Sequence, residues 1–269
     1  MESSSFSSLD NIKLCFGASR NSAGDHSDFF TGKIYYAKLG NGDIGKDECK
    51  KVCSWVYDTL TFDYVGKQRH YYPDSDLRCQ ATFVANKLLD DIIYFNNKNN
   101  VSEEVIKRGY SVSTIREWLN SKVLLGASLT WQQVISPVSI VSLEGCYEED
   151  GKYQINTTTH TTVDSFYIPS TAEVSSAYAS DNHYNLELPP AAASFATFTD
   201  NASRQRALFN SNENKAYWLR TPYKSTPNYH MGVTVSGDVK HNDDNTNKTF
   251  YRSIGYNQYR AGVLLCFSI

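Results

Sequence analysis

The chain lacks most of what charge-driven or catalytic functions require. Its 269 residues carry 26 Lys and Arg against 29 Asp and Glu, a net charge of -3, and the basic residues are scattered along the chain. With no basic surplus to neutralise phosphates, nucleic acid is not an expected partner. No apolar run approaches the roughly 20 residues that a spanning helix needs. Met1-Glu2-Ser3-Ser4-Ser5 has neither the basic start nor the apolar core of a signal peptide. The expectation is a protein made in a cytoplasm, without a signal peptide and without membrane insertion. The six cysteines, Cys15, Cys49, Cys53, Cys79, Cys146 and Cys266, include no C-x2-C pair. Cys49 and Cys53 share a face of a helical stretch and fit half a metal site or, more commonly, plain packing; all six are read as reduced and structural. His26, His70, His160, His183, His230 and His241 show no H-E-x-x-H or H-x-H spacing, and G-x-S-x-G, P-loop and G-x-G-x-x-G motifs are absent. No convergent set of activated groups can be assembled, so the reading is non-enzymatic, with no catalytic residues and no cofactor.

What is present is enough apolar sequence for one large domain or two modest ones. Ile12–Ala18 and Gly32–Leu39 alternate at period two and predict strands, with a polar turn from Ser19 to Asp28 between them. A short helix is expected near Asp47, carrying Cys49, Val52 and Cys53, followed by a strand over Tyr57–Tyr64. From Ala81 the spacing of Phe83, Val84, Leu88, Leu89, Ile92 and Ile93 predicts a helix of about fourteen residues. A second helix follows a Ser113 or Thr114 cap, with Ile115, Trp118 and Leu119 inward and Asn120-Ser121 closing it. A short third turn, Trp131–Ile135, halts at Ser136-Pro137. Val138–Ser142 and Ser165–Pro169 read as strands, Thr171–Val174 as a turn or short helix, and residues 175–216 as loop. The fold class is α+β, with helices laid on a mainly antiparallel sheet.

The last fifth organises the rest. Tyr217–Pro222 and Gly262–Ile269 are blocks built to be buried, and between them lies a stretch rich in Tyr, Asn, Asp, His and Ser. Tyr supplies flat contact area with few rotamers to freeze, while Ser, Asn and Gly supply adaptable hydrogen bonding. That is the composition of a binding surface on a frame, or of a polar loop region closing a β domain. Arg220, inside an apolar block, is expected to be buried and paired with a carboxylate or carbonyls, orienting the loops above it.

Two resemblances add to this. Phe30-Thr31-Gly32-Lys33-Ile34-Tyr35-Tyr36-Ala37-Lys38 resembles a closing strand of a laminin-G or concanavalin-like jelly roll, which implies that residues 1–65 are the terminal strands of such a β-sandwich. Four ordered blocks carry the second: Ser113–Asn120; Thr157–His160 with Phe166–Val174; Tyr217–Pro222; and Gly262-Val263 with Phe267–Ile269. They resemble a bacterial and phage domain family of unassigned function marked by S-T-I-R-x-W-L-N, D-K-V-F-L-L-S-x-x-E-V, W-W-L-R-S-P and a closing G-V-R. This chain has Leu264, Tyr217 and His160 where those motifs have Arg, Trp and Asp. Leu264 removes any ion pair that the Arg would make.

The likeness implies a C-type-lectin-like (formylglycine-generating-enzyme-like) domain over residues 66–269. It is shared with the variable proteins of diversity-generating retroelements in phages of gut bacteria. Such proteins bind targets through positions rewritten by adenine-directed mutagenesis, which yields Asn, Tyr, His, Asp, Ser and Thr but not Lys, Trp, Gln, Glu or Met. On that reading Asn228, Tyr229, His230, Asp238, His241, Asn242, Asp243, Tyr256, Asn257 and Tyr259, flanked by Tyr223 and Arg260, form the ligand-binding surface within 223–260. Lys224, Met231, Lys240, Lys248 and Gln258 are then fixed scaffold. The implied partners are a host-surface protein or glycan and other tail subunits, as a homotrimer, in the tail of a virion. Asp238, Asp243 and Asp244 fit a solvated polar loop or, as the one metal that such loops suggest, oxygens offered to calcium, the first being the commoner case. A structural tail or surface subunit, using the same loops for subunit contacts, is the alternative. A lectin-fold oxidase would need Cys266 reactive, whereas it stands alone in an apolar strand.

Overall fold

The computed structural model of the chain describes residues 57, 59–96, 103–190, 192–225, 229–240 and 260–269. Within them the architecture is α+β. The strands run, in chain order, β1 (Phe62–Gly66), β2 (Thr82–Ala85), β3 (Ile93–Tyr94), β4 (Val138–Leu143), β5 (Tyr147–Glu149), β6 (Lys152–Gln154) and β7 (Thr159–Asp164). They continue with β8 (Phe166–Tyr167), β9 (Tyr217–Pro222), β10 (His230–Val233), β11 (Val239–Lys240), β12 (Arg260–Ala261) and β13 (Cys266–Ser268). The helices used below are α1 (Glu103–Arg108), α2 (114–126), α3 (Leu129–Val134), α4 (Thr171–Val174), α5 (Ser176–Ala179) and α6 (Asn201–Arg204).

The centre is a four-stranded antiparallel sheet in the order β1-β2-β13-β8. Its middle strands are buried on both faces, so each side chain packs whichever way it points. Phe267 is the hub of that packing. Its ring meets Phe62 at 5.0 Å and Trp131 at 5.4 Å edge-on, and stacks on Phe83 at 5.2 Å. A second sheet, β11-β10-β9, holds Trp218 and Met231, and small pairs β3-β12, β4-β7 and β5-β6 surround the two.

Three expectations are corrected here. The stretch from Ala81 is a strand, not a helix, because β2 exchanges backbone hydrogen bonds with β1 on one side and β13 on the other. A short, fully apolar run looks the same in either state when only periodicity is read. Leu88 and Leu89 follow in extended chain, held by Leu88 N–H to Ala207 O at 2.9 Å and Leu89 N–H to Val263 O at 3.0 Å. Next, the strand expected over Tyr57–Tyr64 is Phe62–Gly66. It belongs to the central sheet, so the packed unit begins before residue 66. Finally, residues 175–216 contain α5, a 3-10 turn at Tyr184–Glu187 and α6. The strands expected at 12–18 and 32–39, and the helix near Asp47 with Cys49 and Cys53, lie outside the described residues. Cys79, Cys146 and Cys266 are buried free thiols.

The S-T-I-R-x-W-L-N block has a clear physical reading. Ser113 caps α2, its hydroxyl accepting from Arg116 N–H, and Ile115 and Leu119 are buried. The helix does not close at Asn120-Ser121 but passes through a π turn, Leu119–Val123, to Gly126. Asn120 points at the β7–β8 junction. Its Oδ1 accepts from Ser165 N–H at 2.8 Å and Phe166 N–H at 3.1 Å, and its Nδ2 donates to Phe166 O at 2.8 Å. Arg116 Nε donates to Asp164 Oδ1 at 2.7 Å. The block therefore pins a helix to a strand corner that has no regular ladder of its own. Replacing Asn120 by Ala orphans those backbone groups. Urea unfolding should show a loss of about 1–3 kcal/mol for Asn120→Ala and under about 0.5 kcal/mol for the exposed Lys122→Ala.

Candidate functional site

The site is built on β9. All six of its residues are buried, so the Arg220 guanidinium has no water to turn to. Its Nη1 donates to Glu173 Oε2 at 2.6 Å and its Nη2 to Glu173 Oε1 at 3.1 Å, a two-pronged pairing. Nε donates to Val141 O and Nη1 to Ile168 O, each at 3.0 Å. One side chain thus joins β9 to β4 and to the chain entering α4.

Glu173 has a second duty. It closes the capping box of α4, its Oε2 accepting from Ser170 N–H at 2.8 Å while Ser170 Oγ accepts from Glu173 N–H at 3.2 Å. Thr221, next to Arg220, accepts from Thr171 N–H at 2.9 Å and donates to Glu187. The other oxygen of Glu187 accepts from Leu143 N–H at 3.1 Å. His70 Nε2 lies 3.4 Å from Glu173 Oε1.

Burial acts on each of these groups differently. For Glu173 it would raise the carboxyl, but Arg220 and then His70 outweigh it and hold the pKa below the usual range. For Glu187 burial wins over the pull of Arg220 and pushes the pKa up to about 7. For His70 burial outweighs Glu173 and lowers the ring to about 4. Below about pH 7, where Glu187 keeps its proton and His70 stays neutral down to about 4, the fixed charges at the centre are therefore one matched pair, Arg220 and Glu173.

Above this frame, β9 ends at Pro222. Tyr223 N–H donates to Tyr229 O at 2.8 Å, closing the base of the hairpin to β10. Lys224 Nζ reaches Asp181 Oδ2 at 2.9 Å and sits 5.1 Å from the Tyr184 ring centre. Tyr178 donates to Val239 O at 3.2 Å and meets Tyr184 edge-on at 5.3 Å. Residues 176–187 and the hairpin base are thus tied by one polar-aromatic cluster, in which Tyr184 is buried and Tyr178, Asp181, Tyr223 and Lys224 are half-buried.

Of the expected ligand positions, Tyr223 and Tyr229 are brought together, both half-buried. Asp238 lies on the β10–β11 turn, where Asn201 Nδ2 at 2.6 Å and Ser236 Oγ at 2.8 Å donate to it. The Ser236 hydroxyl leads in holding its pKa below the usual carboxylate range. Arg260 is exposed on β12, its guanidinium 4.6 Å from the Tyr94 ring centre. His230 is a correction. It is 2% exposed, stacked on Phe95 at 3.7 Å, with its pKa driven by burial to about 3. It belongs to the core, because β10 is the middle strand of its sheet and all four of its residues are buried. Asn228, His241, Asn242, Asp243, Tyr256, Asn257 and Tyr259 lie outside the described residues, as does Asp244. Among the described residues no group of three or more His, Cys, Asp and Glu is placed to hold a metal ion. Cys266 is fully buried in β13 and burial pushes its thiol well up.

Sequence reasoning placed Arg220 correctly but missed Glu173, Glu187 and His70. The signal for Glu173 is Ser170-x-x-Glu173, a capping-box spacing; His70, in irregular chain, and Glu187, at the end of a 3-10 turn, offer none. A pH experiment isolates Glu187. The folded protein holds its proton up to about pH 7, while the unfolded chain releases it near 4.5, so its contribution to stability is lost as pH rises through that window. His70 and His230 have the opposite sign, because their lowered values make the unfolded chain bind protons first and their contribution is lost as pH falls below 6.5. Glu187→Gln removes only the first effect. Its stability relative to wild type should rise between about pH 5 and about pH 8 in chemical denaturation. A constant difference across that range contradicts the assignment.

Comparison with known proteins gives one match: residues 85–254 fit the domain of unknown function DUF6273. No curated protein and no solved structure matches the chain. The matched residues cover more than half of the 269, and the chain belongs to the DUF6273 family.

Proposed function

We propose that this chain is a non-enzymatic recognition module of C-type-lectin-like fold, a retroelement-diversified receptor-binding part of a phage tail, that binds a host-surface protein or glycan. The observation that carries the reading is where the polar-aromatic sequence is rooted. Residues 241–259, H-N-D-D-N-T-N-K-T-F-Y-R-S-I-G-Y-N-Q-Y, follow β11 and precede β12. Both roots are anchored, β11 on β10 and β12 on β3, so a stretch of contact-forming composition is held at both ends by the frame. The Tyr223–Tyr229 hairpin base, tied through Lys224 to Asp181 and to the buried Tyr184, carries the same chemistry. Rigid roots lower the ordering cost of a loop surface on binding.

The buried Arg220–Glu173 pair supports the reading as well. It ties β9, from which the hairpin springs, to α4 and β4 without using any residue of the polar stretch. Residues there can then change while the frame stays the same.

The test uses the triple variant Tyr229→Ala, Tyr256→Ala, Tyr259→Ala, assayed on a glycan array and on a panel of intact bacterial cells. Binding by wild type and a loss of about ten-fold or more in the variant, about 1.4 kcal/mol, with an unchanged melting temperature, is the expected result. A large drop in melting temperature would show that these rings hold the fold together and would overturn the proposal. So would binding that survives the triple change.

A further inference from the structure

Where the chain leaves β4, three segments converge on one buried carboxylate. Glu144 follows β4 directly, and its side chain is 8% exposed. Gly145 beside it ties down the other two segments. Its N–H donates to Lys107 O at 2.8 Å, and its carbonyl accepts from Asn156 Nδ2 at 3.3 Å. Lys107 belongs to α1, and Asn156 to the connection between β6 and β7. The lysine backbone and the asparagine amide thus flank a single residue, a gap that the flexible lysine stem can span.

The side chains meet on Glu144. Its Oε2 accepts from Asn156 Nδ2 at 2.6 Å and lies 4.0 Å from Lys107 Nζ. Its Oε1 lies 2.7 Å from His160 Nε2, which holds the carboxylate in place. Thr158 N–H donates to Asn156 Oδ1 at 3.0 Å and draws electron density from the amide carbon. Asn156 is buried, so water has little access to that carbon, whereas the Lys107 side chain is 50% exposed and can shift toward the amide without unpacking the core. An ordinary ion pair needs only the amine and the carboxylate. Here a polarised, buried amide shares the same carboxylate oxygen, which brings together a nucleophile, a proton carrier, an electrophile and an N–H for a developing oxyanion.

We propose that Lys107 and Asn156 become joined by an isopeptide bond that the chain forms by itself. Glu144 takes a proton from the lysine ammonium, and the free amine attacks Asn156 Cγ. Thr158 N–H stabilises the charge that builds on Oδ1. Glu144 passes protons to Nδ2, the Cγ–Nδ2 bond breaks, and the nitrogen leaves as ammonium. One C–N bond forms and one breaks, the two protons that Nζ sheds depart with Nδ2, and Glu144 ends as the carboxylate it began as. No oxidant or reductant is needed. The product ties α1 to the β6–β7 connection and closes residues 107–156 into a covalent ring that survives denaturation.

Mass spectrometry of the full chain under denaturing conditions tests this without any ligand. Wild type should be lighter than its sequence by one ammonia, and a tryptic digest should contain the peptide bearing Lys107 joined to the peptide bearing Asn156. Lys107→Arg keeps a cation beside Glu144 but removes the nucleophile, so it should have the full mass and no joined peptide. Glu144→Gln removes the proton carrier and should lower the joined fraction at least ten-fold at a fixed time after synthesis. The joined peptide in wild type decides the matter even if a variant fails to fold. A wild type of full mass overturns the proposal. So does an ammonia loss that persists in Lys107→Arg, which would mark a cyclised asparagine instead.

Discussion

Arg220 and Glu173 face each other with almost no contact with solvent, and much of the molecule is arranged to make that tolerable. Removing two charges from water costs several kcal/mol per ion, and attraction repays it only with good geometry and with the remaining hydrogen-bonding groups satisfied. Here both conditions are met: two-pronged contact, backbone carbonyls of Val141 and Ile168 on the guanidinium, and the Ser170 amide on the carboxylate. The partners come from β9, β4, the approach to α4 and α4 itself. If any of these moved, a charge or a carbonyl would be left bare. The pair acts less as a source of net stability than as a gauge that accepts one arrangement of its surroundings.

Around it, buried polar groups are handled by neutrality instead of pairing. His70 and His230 both lose their protons to burial, and Glu187 holds its own toward neutral pH. The interior can therefore contain several titratable side chains while presenting little net charge of its own. The division suits a domain whose polar variety is meant for the outside.

Much of this could be read from the chain, and the failures have physical causes. Arg220 was legible because a charge in an apolar block must find a partner. Glu173 was less so, since its carboxylate is already accounted for by the helix cap and its second role is visible only in three dimensions. The helix expected after Ala81 failed because a strand buried on both faces has no period to show. His230 failed for a related reason. Composition marks it as a recognition residue, but its neighbours Met231 and Val233 are also buried, and a middle strand accepts no outward face. The helix cap at Ser113, the strand at β9 and the α+β class follow from capping chemistry, apolar blocks and turn residues, which act locally. Sheet order does not, since β1 and β2, β8, and β13 come from the start, the middle and the end of the described chain.

That sheet order bears on how the molecule folds. β2 and β13 are neighbours in space although almost the whole intervening chain separates them in sequence. Such distant pairings are slow to form, because the closure entropy must be met before the contact can repay it. The same entropy grows only with the logarithm of the enclosed length, about 0.6 kcal/mol for each doubling. Extra residues added between β11 and β12 therefore cost the equilibrium little, and natural length variation can accumulate there without threatening the fold.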